Sequence, residues 1–288
     1  IIALKEDGLV KVYLGVPRGF CAGVVRAIDV VNLALEKQDQ PVYVKHQIVH
    51  NPYVVNDLER RGAITVEDVD EIPEGSLVIF SAHGSPPEDF VKAKARNLKV
   101  IDAVCPLVTK VHNEAKKYHR EGKKVVLVGH KGHQEVRGTM GQVEMTLIDD
   151  ASYDELSAWD ADQEVAVLTQ TTLSVGDTAQ AIDAIRGKFP DAVVRNDICY
   201  ATTNRQAAVK AIAGRCDALF VIGAPNSSNS KRLVEVGTGA GCDYARLIQQ
   251  AGDIVWGDLA GRRTIGISAG ASAPEVLVEE VLETAKAA

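Results

Sequence analysis

The sequence lacks the features that mark several large classes of protein. No stretch approaches the roughly 20 consecutive apolar residues of a membrane-spanning helix, although hydrophobic residues make up 46% of the 288 positions. Positive charge is not in excess, because 32 Lys and Arg stand against 39 Asp and Glu. Nucleic-acid-binding surfaces need clustered positive charge. We therefore expect a protein that binds neither membranes nor nucleic acids.

Cysteines are few, and their arrangement does not suit the commonest uses of paired cysteines. The five are Cys21, Cys105, Cys199, Cys216 and Cys242. No C-x₂-C pair, typical of zinc sites, is present. An odd count in a long chain without a signal-peptide pattern is also untypical of a disulfide framework. We expect reduced thiols in the cytoplasm, some of them metal ligands.

Short β-branched runs alternate with amphipathic runs along most of the chain. The predicted strands are 10–16, 42–45, 77–80, 100–102, 124–128, 165–168, 193–194, 218–222 and 264–267. The predicted helices are 22–37, 52–61, 86–95, 107–120, 173–189, 203–214 and 274–287. This alternation predicts α/β units with mainly parallel sheets. The glycines of 237–241 are expected to weaken any helix that begins at Asn229.

Three of the cysteines share a local pattern. Cys21, Cys105 and Cys199 recur at similar intervals, and each follows a strand-like stretch and precedes a predicted helix. The pattern predicts three similar α/β units with one cysteine each. Thiolates near helix N-termini are stabilised by the helix dipole, and three that converge suit an iron–sulfur cluster or a zinc ion. Cys216 and Cys242 lack this context and are expected to be structural.

Three histidines also follow predicted strands and precede predicted helix starts. They are His50, His83 and His133. Ligands of open α/β sheets bind at the carboxyl ends of strands, near helix N-termini. A single histidine there is more often structural, but three at equivalent positions predict a pocket for an anion.

Several residues beside these histidines are predicted helix caps. Asn51 is expected to cap the helix that begins at 52. Ser85, Pro86 and Glu88 are expected to be an N-cap, a first helical residue and a capping-box partner. For Ser272, which precedes Pro274 and Glu275, capping competes with ligand binding.

Neutral polar groups and one carboxylate complete the candidate site. Ser227, Ser228 and Asn229 lie in an Asn-Ser-Ser-Asn-Ser run after a predicted strand, and the run offers more polar groups than one cap requires. Glu135 lies two residues after His133 and could supply protons. The alternative for Glu135 is an ordinary glutamate on the surface or in the first turn of a helix.

Seven motifs carry a resemblance to a known family. They are Gly-Phe-Cys21-Ala-Gly-Val, Ser-Ala-His83-Gly, Asp-Ala-Val-Cys105-Pro-Leu-Val, His133-x-Glu135-Val-x-Gly-Thr-Met-Gly-Gln, Thr-Gln-Thr171-Thr172-Leu-Ser, Asp-Ile-Cys199-Tyr-Ala-Thr-Thr-Asn-Arg-Gln and Gly-Ala-Ser272-Ala-Pro. Together they resemble the 4-hydroxy-3-methylbut-2-enyl diphosphate reductases, also called the LytB or IspH family. These enzymes catalyse the last step of the methylerythritol phosphate route to isoprenoids. The resemblance extends from about Val12 to Glu283.

The resemblance implies a fold and a cofactor. Three similar α/β units would be in pseudo-threefold arrangement around a central [4Fe–4S] cluster, with Cys21, Cys105 and Cys199 as its ligands. The substrate hydroxyl would bind the iron that has no protein ligand. The expected unit bounds are 10–104, 105–197 and 198–273, followed by a C-terminal helix and tail at 274–288.

The resemblance also implies the roles of the polar residues. The catalytic residues would be Glu135, Thr171 and His133, with Thr172 assisting proton relay. The residues around the substrate would be His50, His83, His133, Thr171, Thr172, Ser227, Ser228, Asn229 and Ser272. Gln134 stands where the family usually has proline, so we expect a less rigid turn before Glu135.

The implied partners are an allylic diphosphate substrate and a reduced ferredoxin or flavodoxin that delivers electrons singly. The products would be isopentenyl and dimethylallyl diphosphate. The expected location is the bacterial cytoplasm, or the plastid stroma of a photosynthetic eukaryote. A basic run is a candidate docking site for an acidic electron donor. It consists of Lys116, Lys117, Arg120, Lys123 and Lys124.

Two alternatives use the same residues differently. A zinc hydrolase of a phosphorylated metabolite would need the cysteines and histidines but no electrons. An iron–sulfur redox sensor would need the cluster but no anion pocket. Iron and sulfide content separates the first from a reductase, and binding of the allylic diphosphate separates the second.

Overall fold

The computed structural model describes residues 2–4, 10–149 and 153–287, and it confirms the predicted α/β class. The strands are β1 (Ile2–Leu4), β2 (Val10–Leu14), β3 (Val42–Lys45), β4 (Ala63–Val66), β5 (Leu77–Phe80), β6 (Lys99–Asp102), β7 (Lys124–Val128), β8 (Thr146–Ile148), β9 (Val165–Thr169), β10 (Val193–Val194), β11 (Ala218–Ile222), β12 (Ala245–Ile248) and β13 (Thr264–Ala269). The helices are α1 (Ala22–Lys37), α2 (Pro52–Arg60), α3 (Pro87–Ala95), α4 (Pro106–Arg120), α5 (Gln134–Met140), α6 (Asp154–Ser157), α7 (Val175–Lys188), α8 (Tyr200–Ala213), α9 (Ser228–Gly239) and α10 (Glu275–Ala287).

The strands form three similar parallel sheets. Sheet 1 has the order β4-β3-β5-β6, sheet 2 the order β8-β7-β9-β10, and sheet 3 the order β12-β11-β13-β2. Each repeat supplies four strands, taken in the orders β3-β4-β5-β6, β7-β8-β9-β10 and β11-β12-β13-β2. The first strand of each repeat (β3, β7 or β11) is central in its sheet, and the second lies at one edge. The third and fourth strands lie on the other side of the first. The antiparallel strand β1 extends sheet 3 beyond β2. The predicted three similar α/β units are therefore present as three repeats of one topology.

The N-terminal strand β2 belongs to the repeat that the C-terminal third of the chain builds. It pairs with β13 from Lys11 opposite Thr264 to Leu14 opposite Ile267. The expected first unit of residues 10–104 had placed this strand with sheet 1. The remaining expected bounds stay predictions. By contact density the chain divides into two compact units, one made of Ile1–Ala22, His50–Val54 and Tyr200–Ala288, the other of Gly23–Val49 and Val55–Cys199.

The central strands explain why much of this pattern was predictable. All residues of β9 and β11 are buried, and these strands read Val-Ala-Val-Leu-Thr and Ala-Leu-Phe-Val-Ile. Parallel strands covered by helices on both faces bury consecutive side chains. The edge strands β4, β8 and β12, which have three or four residues and are partly buried, were not predicted.

Two predictions about helix starts have different outcomes. The Asn51 cap is confirmed, since its Oδ1 accepts hydrogen bonds from the N–H groups of Tyr53 (3.0 Å) and Val54 (3.4 Å). The Ser85 cap is wrong, because α3 has Pro86 as its N-cap and makes no side-chain capping hydrogen bond. Pro87 disfavours the helical conformation in the residue before it, so Pro86 stays extended and the helix begins one residue later.

Among the described residues, none of the helices is both long enough and apolar enough to span a bilayer.

The helix α9 runs to Gly239, so the glycines of 237–241 do not prevent a helix there, and the expectation that they weaken it stays a prediction. Gly237 is buried in this helix, and a Cβ there would lie 2.3 Å from Cδ2 of the fully buried Leu219. Gly239 is exposed, and a Cβ there would meet nothing within 4 Å. Close packing of the helix on β11 therefore requires the first glycine but not the second.

Gly237→Ala and Gly239→Ala form a matched pair that tests this packing. We expect Gly237→Ala to lower the free energy of unfolding by about 1–3 kcal/mol through overpacking. Gly239→Ala should raise it by up to about 1 kcal/mol, because alanine is the better helix former. Urea unfolding followed by circular dichroism measures both. Equal effects of the two substitutions would show that the contact with Leu219 does not limit the helix position.

Candidate active site

The predicted site residues lie just beyond the carboxyl ends of strands, at positions that recur in the three repeats. The fifth residue after the first strand of each repeat is His50, His133 or Ser227. The third residue after the third strand is His83, Thr172 or Ser272. Because parallel sheets bind ligands at this edge, one topology accounts for candidate residues that are far apart in the sequence.

A backbone hydrogen bond ties each of the three predicted metal-binding cysteines to its own repeat. The N–H groups donate from Cys105 to Ala82 (2.9 Å), from Cys199 to Thr171 (3.0 Å) and from Cys21 to Ala271 (3.1 Å). The acceptor is always the second residue after the third strand. Each cysteine therefore lies beside the polar residue that follows its acceptor.

The same three cysteines directly precede helices, as predicted. Cys105 is the N-cap of α4, Cys21 precedes α1, and Cys199 precedes α8. All three are half-buried. Thiolates at such positions are favoured by the helix dipole and the free N–H groups.

The other two cysteines have a different environment. Cys216 and Cys242 are buried in the apolar cluster that surrounds β11. Burial raises the pKa of the Cys216 thiol to about 12. These thiols suit packing rather than metal binding, in agreement with the prediction.

Three histidines form a row in the compact unit that contains sheets 1 and 2. The ring of His83 has its centroid 5.8 Å from that of His46 and 6.1 Å from that of His133, with interplanar angles of 76° and 84°. His46 was not predicted as a site residue. It follows β3 directly, has a positive φ of 61°, and places Nδ1 2.8 Å from Oε2 of Glu67. A positive φ is uncommon for a residue other than glycine and costs conformational energy, and this was not visible in the sequence.

The carboxyl group of Glu135 is buried and held at both oxygens by one residue. The N–H of Thr171 donates to Oε1 (2.7 Å), and the Thr171 hydroxyl donates to Oε2 (2.9 Å). The pKa of Glu135 is raised to about 7. Burial is the largest cause, the two hydrogen bonds from Thr171 act against it, and the charge of Asp197 adds a smaller raising effect. A carboxyl group with this pKa can donate a proton near neutral pH. Glu135 does lie in the first turn of α5, but its burial excludes the alternative of a surface glutamate.

His133 caps α5 and is neutral at pH 7. Its Nδ1 accepts a hydrogen bond from the N–H of Glu135 (3.2 Å). Burial, and then the charges of His130 and His46, lower the pKa of His133 to about 4. Since Nδ1 is the acceptor, the proton of the neutral ring is on Nε2, which makes Nε2 a hydrogen-bond donor.

Gln170 connects the loops that carry these groups, and the sequence did not single it out. Its Oε1 accepts from the N–H of His130 (3.0 Å), and its Nε2 donates to Oγ1 of Thr172 (2.7 Å). Its side chain is almost fully buried. The hydroxyl of Thr172 therefore has a fixed place beside Thr171.

In the other compact unit, the loop before Cys21 is held by Arg205. This buried guanidinium donates to the carbonyl oxygens of Gly19 (3.0 Å) and Phe20 (3.1 Å). Asn229 contacts the same region, because its Oδ1 accepts from the N–H of Ala271 (2.9 Å). The Asn-Ser-Ser-Asn run is thus linked to the residue that also accepts from Cys21.

Ser227 and Ser272 differ in what their hydroxyls do. Ser227 caps α9 and accepts from the N–H of Ser230 (3.3 Å). Ser272 donates to the carbonyl oxygen of His50 (2.9 Å). In this arrangement the hydroxyl of Ser272 contacts a predicted site residue, and α10 begins only at Glu275.

The predicted basic run is partly neutralised. Lys123 pairs with Glu164, and Lys117 Nζ lies 3.9 Å from Oε1 of Glu121. Lys116 and Arg120 are exposed on α4.

Gln134, the position where the resembled family usually has proline, is the first residue of α5. As the first residue of α5, its N–H has no acceptor within the helix, as is normal in a first helical turn. The residue before it, His133, is extended, with φ −65° and ψ 137°. Proline suits the first helical position and prefers an extended residue before it.

We therefore expect Gln134→Pro to be tolerated. It should raise the free energy of unfolding by about 0.4–1 kcal/mol, because proline restricts the unfolded chain, and it should leave the position of Glu135 unchanged. Thermal unfolding measures the effect. A destabilised variant would show that the buried Gln134 side chain makes a contribution that outweighs this entropy.

The comparisons with known proteins agree along almost the whole chain. The family described as LytB protein matches residues 12–286. Two relatives named 4-hydroxy-3-methylbut-2-enyl diphosphate reductase are 54% identical: that of Paracoccus denitrificans over 94% of this chain and 87% of its own, and that of Cereibacter sphaeroides over 96% and 88%.

Solved structures show the same fold. The structure of the E-1-hydroxy-2-methyl-but-2-enyl-4-diphosphate reductase from Plasmodium falciparum superposes with a TM-score of 0.91 at 37% identity, covering 95% of this chain and 87% of that one. A structure of (E)-4-hydroxy-3-methyl-but-2-enyl diphosphate reductase, the terminal enzyme of the non-mevalonate pathway, superposes with a TM-score of 0.70 at 33% identity and covers 97% and 100%.

Fold and site together define a three-repeat α/β protein in which every repeat places a cysteine and polar side chains beyond the carboxyl ends of its strands. This chain belongs to the LytB protein family.

Proposed function

We propose that this protein reduces 4-hydroxy-3-methylbut-2-enyl diphosphate to isopentenyl diphosphate and dimethylallyl diphosphate. The observation that carries the proposal is the buried Glu135 carboxyl group, which Thr171 holds at both oxygens and whose pKa is raised to about 7. The names of the 54%-identical relatives supply the substrate. The alternative of a zinc hydrolase has no such support.

The reaction sets clear requirements for the protein. A C–O bond breaks, a C–H bond forms at one end of the allyl unit, and two electrons and two protons are consumed as the hydroxyl leaves as water. Hydroxide is a poor leaving group, so the departing oxygen needs a proton donor. The remote diphosphate can supply binding energy that orients the hydroxyl.

The cysteines fit an iron–sulfur cluster. Cys21, Cys105 and Cys199 are half-buried at helix starts, whereas Cys216 and Cys242 lie in the apolar core. We propose the first three as ligands of a [4Fe–4S] cluster. When bound, the cluster would supply single electrons and, at an iron without a protein ligand, Lewis acidity.

The diphosphate is assigned to groups that offer neutral donors. These are His50, His83, His133, Ser227, Ser228, Asn229 and Ser272, whereas Thr171 and Thr172 are proposed to contact the substrate beside Glu135. The hydroxyl oxygen of Ser228 is buried and makes no hydrogen bond within the described part of the chain. Buried polar groups normally have hydrogen-bond partners, and a bound diphosphate would supply one here. It lies in the first turn of the 12-residue α9, where N–H groups favour anions. His133 offers Nε2–H as a donor, because its Nδ1 accepts from the N–H of Glu135.

Glu135 is the proposed proton donor. With a pKa of about 7, its protonated form predominates at lower pH and is lost as the pH rises through about 7. The Thr171 hydroxyl and N–H fix the plane of the carboxyl group. Proton transfer therefore requires no change in the Glu135 side-chain conformation. Electrons are assigned to a reduced ferredoxin or flavodoxin, and the exposed residues of the basic run on α4 are the proposed docking surface.

The direct test is anaerobic incubation of the protein with reduced methyl viologen and the allylic diphosphate. We expect isopentenyl and dimethylallyl diphosphate by chromatography, with iron and acid-labile sulfide bound to the chain. Protein that holds zinc but no sulfide, and that consumes no electrons, would favour the hydrolase instead.

Glu135→Gln should lower kcat by about 10²–10⁴-fold, the usual contribution of a general acid. The KM should change little, because the amide has the same shape and no diphosphate contact is assigned to it. Iron content should stay at the parental value. Glu144→Gln, at an exposed glutamate of the same compact unit, is the matched control. A kcat within threefold of the parent would remove Glu135 from the mechanism.

Alanine substitutions of single cysteines test the cluster ligands. We expect Cys21→Ala, Cys105→Ala and Cys199→Ala each to lose most of the roughly four irons per chain of an intact cluster. Cys216→Ala should keep them, although removal of a buried side chain lowers stability. Iron and sulfide analysis after anaerobic reconstitution gives the result, and equal iron in all four variants would contradict the assignment.

A further inference from the structure

The C-terminal half of α5 packs closely on the residues that follow His83. We call residues 83–86 the His83 loop. A Cβ at Gly138 would lie 2.8 Å from the carbonyl oxygen of Gly84, and one at Gly141 would lie 2.3 Å from Cβ of Pro86. Both neighbours are backbone or a proline ring, which cannot rotate away. Glycine at these two positions is therefore required for the observed distance between the helix and the loop.

Gln142 joins the same two segments by hydrogen bonds. Its Nε2 donates to the carbonyl oxygen of Ser85 (3.1 Å) and to that of Gly138 (2.8 Å). One amide thus uses both of its N–H groups to bridge the loop and the last turn of α5. The carbonyl of Gly138 is near the helix C-terminus, where carbonyl groups need partners from outside the helix.

The opposite side of the His83 loop is held by α4. Gly84 has a positive φ of 82°, and a Cβ there would lie 2.8 Å from Cε1 of His112 and 3.2 Å from Cγ1 of Val108. His112 and Val108 are both buried. The loop is therefore enclosed between α4 and α5, and its position follows that of the two helices.

This contact joins two residues of the candidate site. His133 is the N-cap of α5, and His83 is the first residue of the loop on which the helix ends. Because α5 is a short rigid element of seven residues, its C-terminal contact fixes the place of its N-terminus relative to the loop. The ring centroids of His83 and His133 lie 6.1 Å apart.

We propose that Gln142 is a positioning residue that, with Gly138, sets the separation of the His83 and His133 rings for the diphosphate. Its effect on turnover rests on the proposed function, whereas its effect on the ring separation does not.

The test compares Gln142→Met, which keeps the volume but removes both donors, with Gln163→Met. Gln163 is also half-buried in the same compact unit and is not one of the candidate site residues. We expect Gln142→Met to raise the KM for the allylic diphosphate by about 3–10-fold, with a smaller change in kcat, because misplaced binding groups weaken substrate orientation. Gln163→Met should leave KM at the parental value.

Gly138→Ala and Gly187→Ala are a second matched pair. Both glycines are helical, but a Cβ at Gly187 would meet nothing within 4 Å. We expect only Gly138→Ala to raise KM. If this variant does not fold, Gln142→Met decides the question alone.

Crystal structures of the parent and of Gln142→Met separate failure of this inference from failure of the proposed function. We expect the His83–His133 ring separation to change by about 0.5 Å or more, a displacement that matters for substrate orientation. That result would stand even if the protein did not reduce the allylic diphosphate. An unchanged separation and an unchanged KM, with only a lower unfolding midpoint, would overturn the positioning role.

Discussion

Parallel strand pairing is the constraint on which the rest of this structure depends. It brings the carboxyl ends of the strands to one edge of each sheet, and the same strand order recurs three times. Each repeat places a helix-capping residue after its first strand, a polar residue after its third strand, and a cysteine after its fourth. The three cysteine N–H groups make equivalent hydrogen bonds of 2.9 to 3.1 Å. A single topology therefore supplies three thiols and a set of polar groups without any sequence motif that repeats.

The repeats are similar in geometry but carry different chemistry. The residue five positions after the first strand is a histidine in two repeats and Ser227 in the third. Only the repeat with His133 also contains the buried carboxyl group of Glu135. Burial disfavours its charged form, and the two hydrogen bonds from Thr171 favour that form. The balance keeps the pKa close to neutral, which an exposed glutamate would not achieve. Asymmetry among otherwise equivalent positions gives the proposed site a single proton donor.

The sequence predicted the central strands and the position of three cysteines directly before helices, because each has a strong local signal. The fully buried strands have continuous apolar runs, and the cysteines precede helices with clear starts. Edge strands such as Ala245–Ile248, which contains an exposed Arg246, lack such a run. The prediction that Ser85 caps a helix was wrong because the consecutive prolines Pro86 and Pro87 place the helix start one residue later. His46 was missed because its importance comes from a positive φ and from contact with His83, and neither leaves a sequence pattern. The close approach of α5 to the His83 loop depends on tertiary packing and was likewise not predictable.

The pH dependence of single-turnover reduction tests the central claim most directly. Protein reduced in advance would be mixed with the allylic diphosphate between about pH 5 and pH 9, a range that spans the pKa of Glu135. We expect a rate that falls as the pH rises through about 7, because the protonated carboxyl group is lost. In Thr171→Val the fall should move to higher pH, because the Thr171 hydroxyl lowers the pKa of Glu135. A rate that is independent of pH, or an identical fall in Glu135→Gln, would contradict the assignment of Glu135 as the proton donor.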